Sequence, residues 1–269
     1  MRTVSRYSWP VGLTVAAVIA LSISAFAATF SDASVKGSYG FLTSLTTANA
    51  STNQFAMVGV MSFDGAGNVT GSYTSISHDA VLSGSLAGTY SVNSNGTGTI
   101  TLTSGSTAQF TITLFGTAAG VSHNLELLQI NDTSNEIISG TAVLQATTAQ
   151  TYSLASLKGT MGFQYNPHTA DSSLAEDGGT GLFTFDGKGH VTSSQSVVYD
   201  GGLLTGSGSF NYSVNADGTG TITPTGKGPS FAFALNTVAA GKGKGFQFLD
   251  TNTSDGPGNL VITGSAQKQ

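Results

Sequence analysis

A twelve-residue phrase occurs twice in this chain. Tyr90-Ser-Val-Asn-Ser-Asn-Gly-Thr-Gly-Thr-Ile-Thr101 returns 122 residues later as Tyr212-Ser-Val-Asn-Ala-Asp-Gly-Thr-Gly-Thr-Ile-Thr223, with ten of the twelve positions identical. The same offset relates Gly59-Val-Met-Ser-Phe-Asp-Gly-Ala-Gly-Asn-Val-Thr70 to Gly181-Leu-Phe-Thr-Phe-Asp-Gly-Lys-Gly-His-Val-Thr192. It also relates Ser31-Asp-Ala-Ser-Val-Lys-Gly-Ser-Tyr-Gly-Phe41 to Ser153-Leu-Ala-Ser-Leu-Lys-Gly-Thr-Met-Gly-Phe163. A period this long exceeds that of any solenoid layer, so each copy is a whole domain. The duplication therefore divides the chain into repeat 1, residues 29–147, and repeat 2, residues 148–269.

Residues 1–28 stand outside the duplication and read as a signal peptide. Arg2 and Arg6 give a basic start, Val11 to Leu21 form an apolar run, and Ala25-Phe26-Ala27 is a small-x-small cleavage pattern. The apolar run is short of the roughly 20 residues a membrane-spanning helix needs. The expectation is an exported protein, periplasmic, cell-surface or extracellular, with no membrane span after cleavage. The chain contains no Cys. Neither disulfides nor thiolate metal sites hold the fold, and stability must come from the core and from strand pairing.

Removing residues 1–28 takes away both Arg and the single Trp, leaving seven Lys against 14 acidic residues. Lys36 is then the only basic residue of repeat 1, which excludes nucleic acid as a partner, because phosphate binding needs clustered cations. Hydrophobicity alternates with a period of two. Phe110, Ile112 and Leu114 alternate with Thr111 and Thr113, while Phe231, Phe233 and Leu235 alternate with Ala232 and Ala234. Strands are expected near 37–46, 55–64, 68–77, 82–93, 97–103, 108–116, 124–131 and 138–146 of repeat 1. Asp64-Gly65, Asn95-Gly96 and their partners Asp186-Gly187 and Asp217-Gly218 supply hairpin turns between them.

Short sequential hairpins predict an all-β chain of two tandem antiparallel eight-stranded up-and-down β-barrels. Two β-sandwiches are the alternative. Gly84, Gly88, Gly206 and Gly208 fall inside strands and predict bends or bulges. An outer-membrane barrel is disfavoured, because the faces opposite Phe110 and Ile100 are Thr rather than an apolar band.

The duplicated phrases resemble those of uncharacterised exported bacterial proteins built from tandem β-rich units, a resemblance that covers nearly all of residues 31–266 and implies no activity. In strand count and hairpin order each unit is similar to the barrels of the calycin and avidin type and to the allene oxide cyclase barrel. With no Trp after residue 28, repeats 1 and 2 lack the lipocalin Gly-x-Trp signature and the Trp residues of an avidin biotin site. Fold likeness licenses no other ligand.

Comparing the copies leaves few candidates for chemistry. Asp64 and Asp186 are kept, and Asp-Gly-x-Gly resembles part of a calcium loop. Neither has the alternating oxygen ligands or the closing acid about twelve residues on, so both read as turn residues bonding their own backbone. Lys36 and Lys158 are also kept, and are expected to guard a strand edge rather than to act as buried basic groups. Each of the four His aligns with a different residue in the other copy, and none has metal-ligand spacing. The longest loops, Thr46 to Gln54 and Asn166 to Gly179, have diverged, and the second carries the one-copy catalytic candidates His168, Asp171 and Glu176. No cofactor motif and no nucleophile elbow is present.

Three functions remain open at this point. The first is an exported non-enzymatic module that binds a small apolar ligand or a glycan, which predicts a partly unfilled barrel. The second is a structural or adhesive surface protein with filled barrels. The third is an isomerase-like or cyclase-like barrel enzyme with polar groups converging in one copy.

Overall fold

The computed structural model describes residues 29–47, 55–77, 80–131, 137–169, 178–199, 201–239, 242–252 and 260–269. The first eight strands are β1 (Lys36–Thr47), β2 (Phe55–Asp64), β3 (Asn68–Ser77), β4 (Ala80–Val92), β5 (Thr97–Ser104), β6 (Gln109–Ala118), β7 (Val121–Gln129) and β8 (Ile137–Ala146). The second eight are β9 (Gly159–Thr169), β10 (Gly178–Phe185), β11 (His190–Tyr199), β12 (Gly202–Val214), β13 (Thr219–Pro224), β14 (Phe231–Ala239), β15 (Lys242–Asp250) and β16 (Leu260–Lys268). Each set pairs in sequence order and closes on itself, β1 with β8 and β9 with β16. The chain is two closed antiparallel barrels, and the sandwich alternative is discarded.

Closure corrects one of the sequence expectations. Because β1 is paired on both sides, Lys36 has no edge to guard. Its aliphatic stem instead lies against the turn glycine, 3.2 Å from where a Gly65 Cβ would sit, and Lys158 covers Gly187 in the same way at 3.3 Å. The β4–β5 register shifts between Ala87 and Gly88, as a bulge requires; Gly206 and Gly208 pair with β11 without a break, as Gly84 and Gly88 do with β3, and the β12–β13 pairing begins only at Phe210.

The three duplicated phrases, distant in sequence, meet at one end of each barrel and plug it. Asp32–Ser34 and Leu154–Ser156 are single 3-10 turns laid across that end. The Tyr90 hydroxyl donates to the carbonyls of Asp32 and Val35, both at 2.9 Å, and Tyr212 donates to Leu154 and Leu157, both at 3.0 Å. The two rings stand edge-on to Phe63 and Phe185 at 5.0 and 5.1 Å. The glycine turns complete the plug, since Tyr90 N donates to Gly67 O and Tyr212 N to Gly189 O. Above the plug, inward residues form one core per barrel, around Phe41, Phe63, Ile100 and Phe110 in the first and Phe163, Phe183, Phe185 and Phe246 in the second.

A third cluster joins the barrels through their outer faces. Ala56, Val58 and Val60 of β2 and Leu42 of β1 pack against Ala232 and Ala234 of β14 and Leu249 of β15. The fit is close because the facing residues are small. A Cβ built on Gly40 would overlap the Leu235 carbonyl oxygen, which accepts a 2.7 Å bond from Gln145 Nε2. Gln247 Nε2 donates to Thr141 Oγ1 at 2.7 Å, and Ser72 Oγ to Asp217 Oδ2 at 2.6 Å.

Two outcomes are expected from the plug and one from the join. Tyr90→Phe and Tyr212→Phe each leave buried carbonyls short of a donor and lower stability by about 1–3 kcal/mol, additively, since the two sites do not touch; urea unfolding of the single and double variants measures this. Burial pushes the Tyr90 phenol from 10.0 up to about 12, and Tyr152 likewise to about 12. A folded-state value above the unfolded one gives a stabilisation present below the unfolded value and lost above it. The urea midpoint should therefore hold to about pH 9 and fall between about 10 and 12. Gly40→Val, whose side chain points out of barrel 1, should separate the barrels and split unfolding into two transitions, seen together with a larger radius of gyration in X-ray scattering.

Candidate functional site

The two barrels carry the same plug and differ at the far end. In barrel 1, Gly71 on β3 pairs directly with Leu86 on β4, and Leu86 fills the space over the glycine, its Cδ1 3.2 Å from a Gly71 Cβ position. Leu86 is 3% exposed. One pair further along, Tyr73 faces Gly84, and its ring covers both Gly84 and Gly105 while its hydroxyl donates to Gly105 O at 2.9 Å. An aromatic ring over a cross-strand glycine is a common way to cover the missing side chain.

Barrel 2 changes both pairs. Ser193 pairs with Gly208 where Gly71 pairs with Leu86, and Gln195 pairs with Gly206 where Tyr73 pairs with Gly84. The leucine and the tyrosine of barrel 1 are absent here, and Phe210, which stands where barrel 1 has Gly88, leans over Gly208 instead, its ring 2.7 Å from a Gly208 Cβ position. A Cβ on Gly206 would meet nothing within 4 Å. The space left is a cavity of about 590 Å³, within the range usual for small-molecule sites.

Its walls are built from inward positions of β9 to β15. Phe163 and Phe183 stack at 4.2 Å between centroids, Phe210 and Phe231 stand edge-on to Phe183 at 6.4 and 6.5 Å, and Phe248 stands edge-on to Phe231 at 5.3 Å. Tyr165 extends the stack from Phe163 toward the mouth, at 6.3 Å. Edge and face contacts of this sort are worth about 0.5–1.5 kcal/mol each beyond burial and hold the rings in fixed planes. Ser193 and Gln195 project inward beside the rings, the lining residues Ser207 and Ser209 are on the exposed face of β12, and the β13–β14 turn brings Lys227 and Pro229 to the rim. Ser193 is buried at 7% exposure and sets a hydroxyl beside the rings, its Oγ 3.2 Å from a Gly208 Cβ position.

The sequence candidates lie elsewhere. Asp64 Oδ1 accepts from Ala66 N at 2.7 Å and Asn68 N at 3.0 Å, and Asn68 Nδ2 donates to its Oδ2 at 2.6 Å. Asp186 Oδ1 accepts from Lys188 N at 2.6 Å and His190 N at 3.0 Å. These bonds hold both carboxyls below the usual range, led by the Asn68 amide for Asp64 and the Lys188 N–H for Asp186. Among the described residues no cluster of three or more His, Asp or Glu is placed to hold a metal ion. Asp171 and Glu176 lie outside the described residues. The loop expected from Asn166 begins later, because β9 stays paired with β16 as far as Thr169, and His168 is opposite Val261 within that strand. Strand ends Thr169 and Gly178 are at the same end of barrel 2 as the cavity mouth. The described lining contains hydroxyls, an amide and one Lys but no carboxylate or imidazole.

Charge shared between the copies does not mark the cavity residues; what marks them in the sequence is a change of volume at inward positions, Tyr73 against Gln195, Leu86 against Gly208 and Gly88 against Phe210.

No family model matches the chain, and no curated protein matches it. Among solved structures it is similar to kievitone hydratase from Nectria haematococca, at 9% identity over 88% of this chain and 90% of that one, TM-score 0.29. It is also similar to a protein of unknown function of the DUF3598 family from Nostoc punctiforme, at 12% identity over 88% and 98%, TM-score 0.27. A protein assigned as AttH from Nitrosomonas europaea matches at 8% identity over 87% and 92%, TM-score 0.28. None of these likenesses carries a function to this chain.

Proposed function

We propose that the chain is an exported, non-enzymatic binding protein whose second barrel holds a small, flat, largely apolar molecule. The observation that carries this reading is the opened aromatic cavity of barrel 2, set beside a barrel of the same fold in which Leu86 and Tyr73 occupy the corresponding space. Rings fixed in stacked and edge-on planes suit a planar ligand, and the Ser193 hydroxyl suits one polar group on it. Barrel 1, on this reading, is the carrier domain. A glycan fits less well, since many hydroxyls would need partners that a wall of six aromatic rings does not provide. Export follows from residues 1–28 and is part of the proposal. The isomerase-like alternative would depend on His168, Asp171 and Glu176, and no observation favours it.

The test is to give barrel 2 the plug of barrel 1. Gly208 does not have a positive φ, and a Cβ there would come 2.7 Å from the Phe210 ring, so that ring must turn aside in the variant. Gly208→Leu should keep the fold and lower affinity for an anilinonaphthalene fluorescent probe at least about tenfold, equal to about 1.4 kcal/mol. Native mass spectrometry of the exported protein should find a retained small molecule in wild type and not in the variant, and N-terminal sequencing should begin near Thr29. Equal probe binding by wild type and Gly208→Leu overturns the reading.

A further inference from the structure

The join between the barrels is heterologous, and that leaves half of it unused on each. Barrel 1 offers the groove over β8, β1 and β2, and barrel 2 offers the outer face of β14 and β15. By strand register, barrel 2 has its own version of the groove over β16, β9 and β10, and barrel 1 has its own version of the inserted face on β6 and β7.

The barrel 2 groove is open to solvent and encloses about 630 Å³ between Gly162, Gln164, Thr180, Leu182, Ser194, Ser265 and Gln269. Gly162 corresponds to Gly40, Gln164 to Leu42, Thr180 to Val58, and Leu182 to Val60. Because Ala266 faces Phe163 as Ala142 faces Phe41, Ser265 corresponds to Thr141 and Gln269 to Gln145. The floor glycine and the overhanging glutamine are both kept. A Cβ on Gly162 would meet only the Gln269 amide, at 3.8 Å.

The inserted face is kept on barrel 1 as well. Leu114 N donates to Gly96 O at 2.9 Å just as Leu235 N donates to Gly218 O at 2.9 Å, so the Leu114 carbonyl has the placement of the one that Gln145 binds. Thr111, Thr113 and Glu126 stand where Ala232, Ala234 and Gln247 stand. Thr113 and Glu126 are exposed, and Leu128 beside them is 42% exposed.

We propose that a second copy of this chain docks head to tail, its β6–β7 face entering the β16–β9–β10 groove by the operation that already joins the two barrels within one chain. Each polar contact of the internal join has a competent counterpart. Gln269 can donate to the Leu114 carbonyl as Gln145 does to Leu235. Ser265 can donate to the Glu126 carboxylate where Thr141 accepts from Gln247, and Asn95 Nδ2 can donate to Ser194 Oγ where Asp217 Oδ2 accepts from Ser72, since Asn95 Oδ1 is taken by Thr97. The apolar contacts become polar on both sides together, Val58 to Thr180 and Leu42 to Gln164 against Ala232 to Thr111 and Ala234 to Thr113. With less apolar area to bury, the contact between chains is weak and reversible, with a dissociation constant of roughly 10 µM to 1 mM. One face and one groove per chain give an open linear series.

Sedimentation velocity of the full chain over a range up to about 1 mM should resolve monomer, dimer and longer linear species. Gly162→Val closes the groove, and Thr113→Arg blocks the inserted face; both should unfold at the wild-type urea midpoint and remain monomeric. Mixing the two variants leaves one good face and one good groove between them, so it should restore dimers and nothing longer. Wild type that stays monomeric throughout, a Gly162→Val variant that associates like wild type, or a mixture that gives no dimers overturns the proposal. Glycine-to-leucine substitution inside the cavity, at Gly208, should leave association unchanged, which separates this inference from the binding reading.

Discussion

An eight-stranded barrel encloses a volume that its inward side chains just fill, and this constraint governs both halves of the chain. Where the inward positions are large, as at Tyr39, Phe41, Leu86 and Phe110, the described residues pack into one continuous core. The second barrel lacks one Leu and one Tyr of the first. At the pairs equivalent to Gly71–Leu86 and Tyr73–Gly84, barrel 2 has Ser193–Gly208 and Gln195–Gly206, while Phe210 in the place of Gly88 takes up part of the space over Gly208 and nothing covers Gly206. A packed interior cannot relax fully around such a loss, so the space persists as a cavity rather than collapsing.

The plug explains why the duplicated phrases were kept while the rest drifted. Each of the three supplies a part that the others need: the 3-10 turn, the glycine hairpin that bonds the tyrosine backbone, and the tyrosine whose hydroxyl takes two carbonyls of the turn. A change in any one leaves a buried polar group without its partner, at about 1–3 kcal/mol. The outer faces are under a different constraint. Residues buried permanently at the join are small and apolar, as Ala232 and Ala234 are, whereas Thr111 and Thr113 at the equivalent positions of barrel 1 are solvated in the single chain and are polar, although the inward residues between them stay apolar.

Most of the fold was legible in the sequence. Alternation of period two and glycine turns located all eight strands of repeat 1 to within a few residues, with β2 and β3 matching the expected bounds. Closure was legible only as a consequence of the strand count, because no residue announces that β1 will meet β8. The extension of β9 through Pro167 to Thr169 was not legible, since proline and two polar residues read as loop and only pairing with β16 makes them strand. The join was written in the contrast between Ala232, Ala234 and Thr111, Thr113, yet that contrast has no meaning until a second surface is known to lie against it. The cavity was legible in the same limited way. Gly208 alone is one more strand glycine, and only the knowledge that its counterpart Leu86 fills a mouth turns it into an opening.

The two differences between the barrels are coupled in energy. Replacing a buried Leu by smaller residues costs about 2–5 kcal/mol in a domain that cannot collapse around the gap, so barrel 2 begins less stable than its twin. Part of that is offset inside, where Phe183, Phe246 and Phe248 replace Met61, Leu125 and Leu127 and form a continuous aromatic cluster. The rest can come from outside. Burying Ala232, Ala234 and Leu249 against Val58 and Val60 stabilises β14 and β15, the strands that carry Phe231 and Phe248 into the cavity wall. The buried Gln145 and Gln247 carbonyl oxygens at the join have no partner among the described residues, so the apolar contacts there must supply more than the hydrogen bonds do. A barrel whose mouth is covered by Leu86 and Tyr73, pressed against the back of one whose mouth is open, is thus a physical reason for the duplication: the join supports the strands that line the opening.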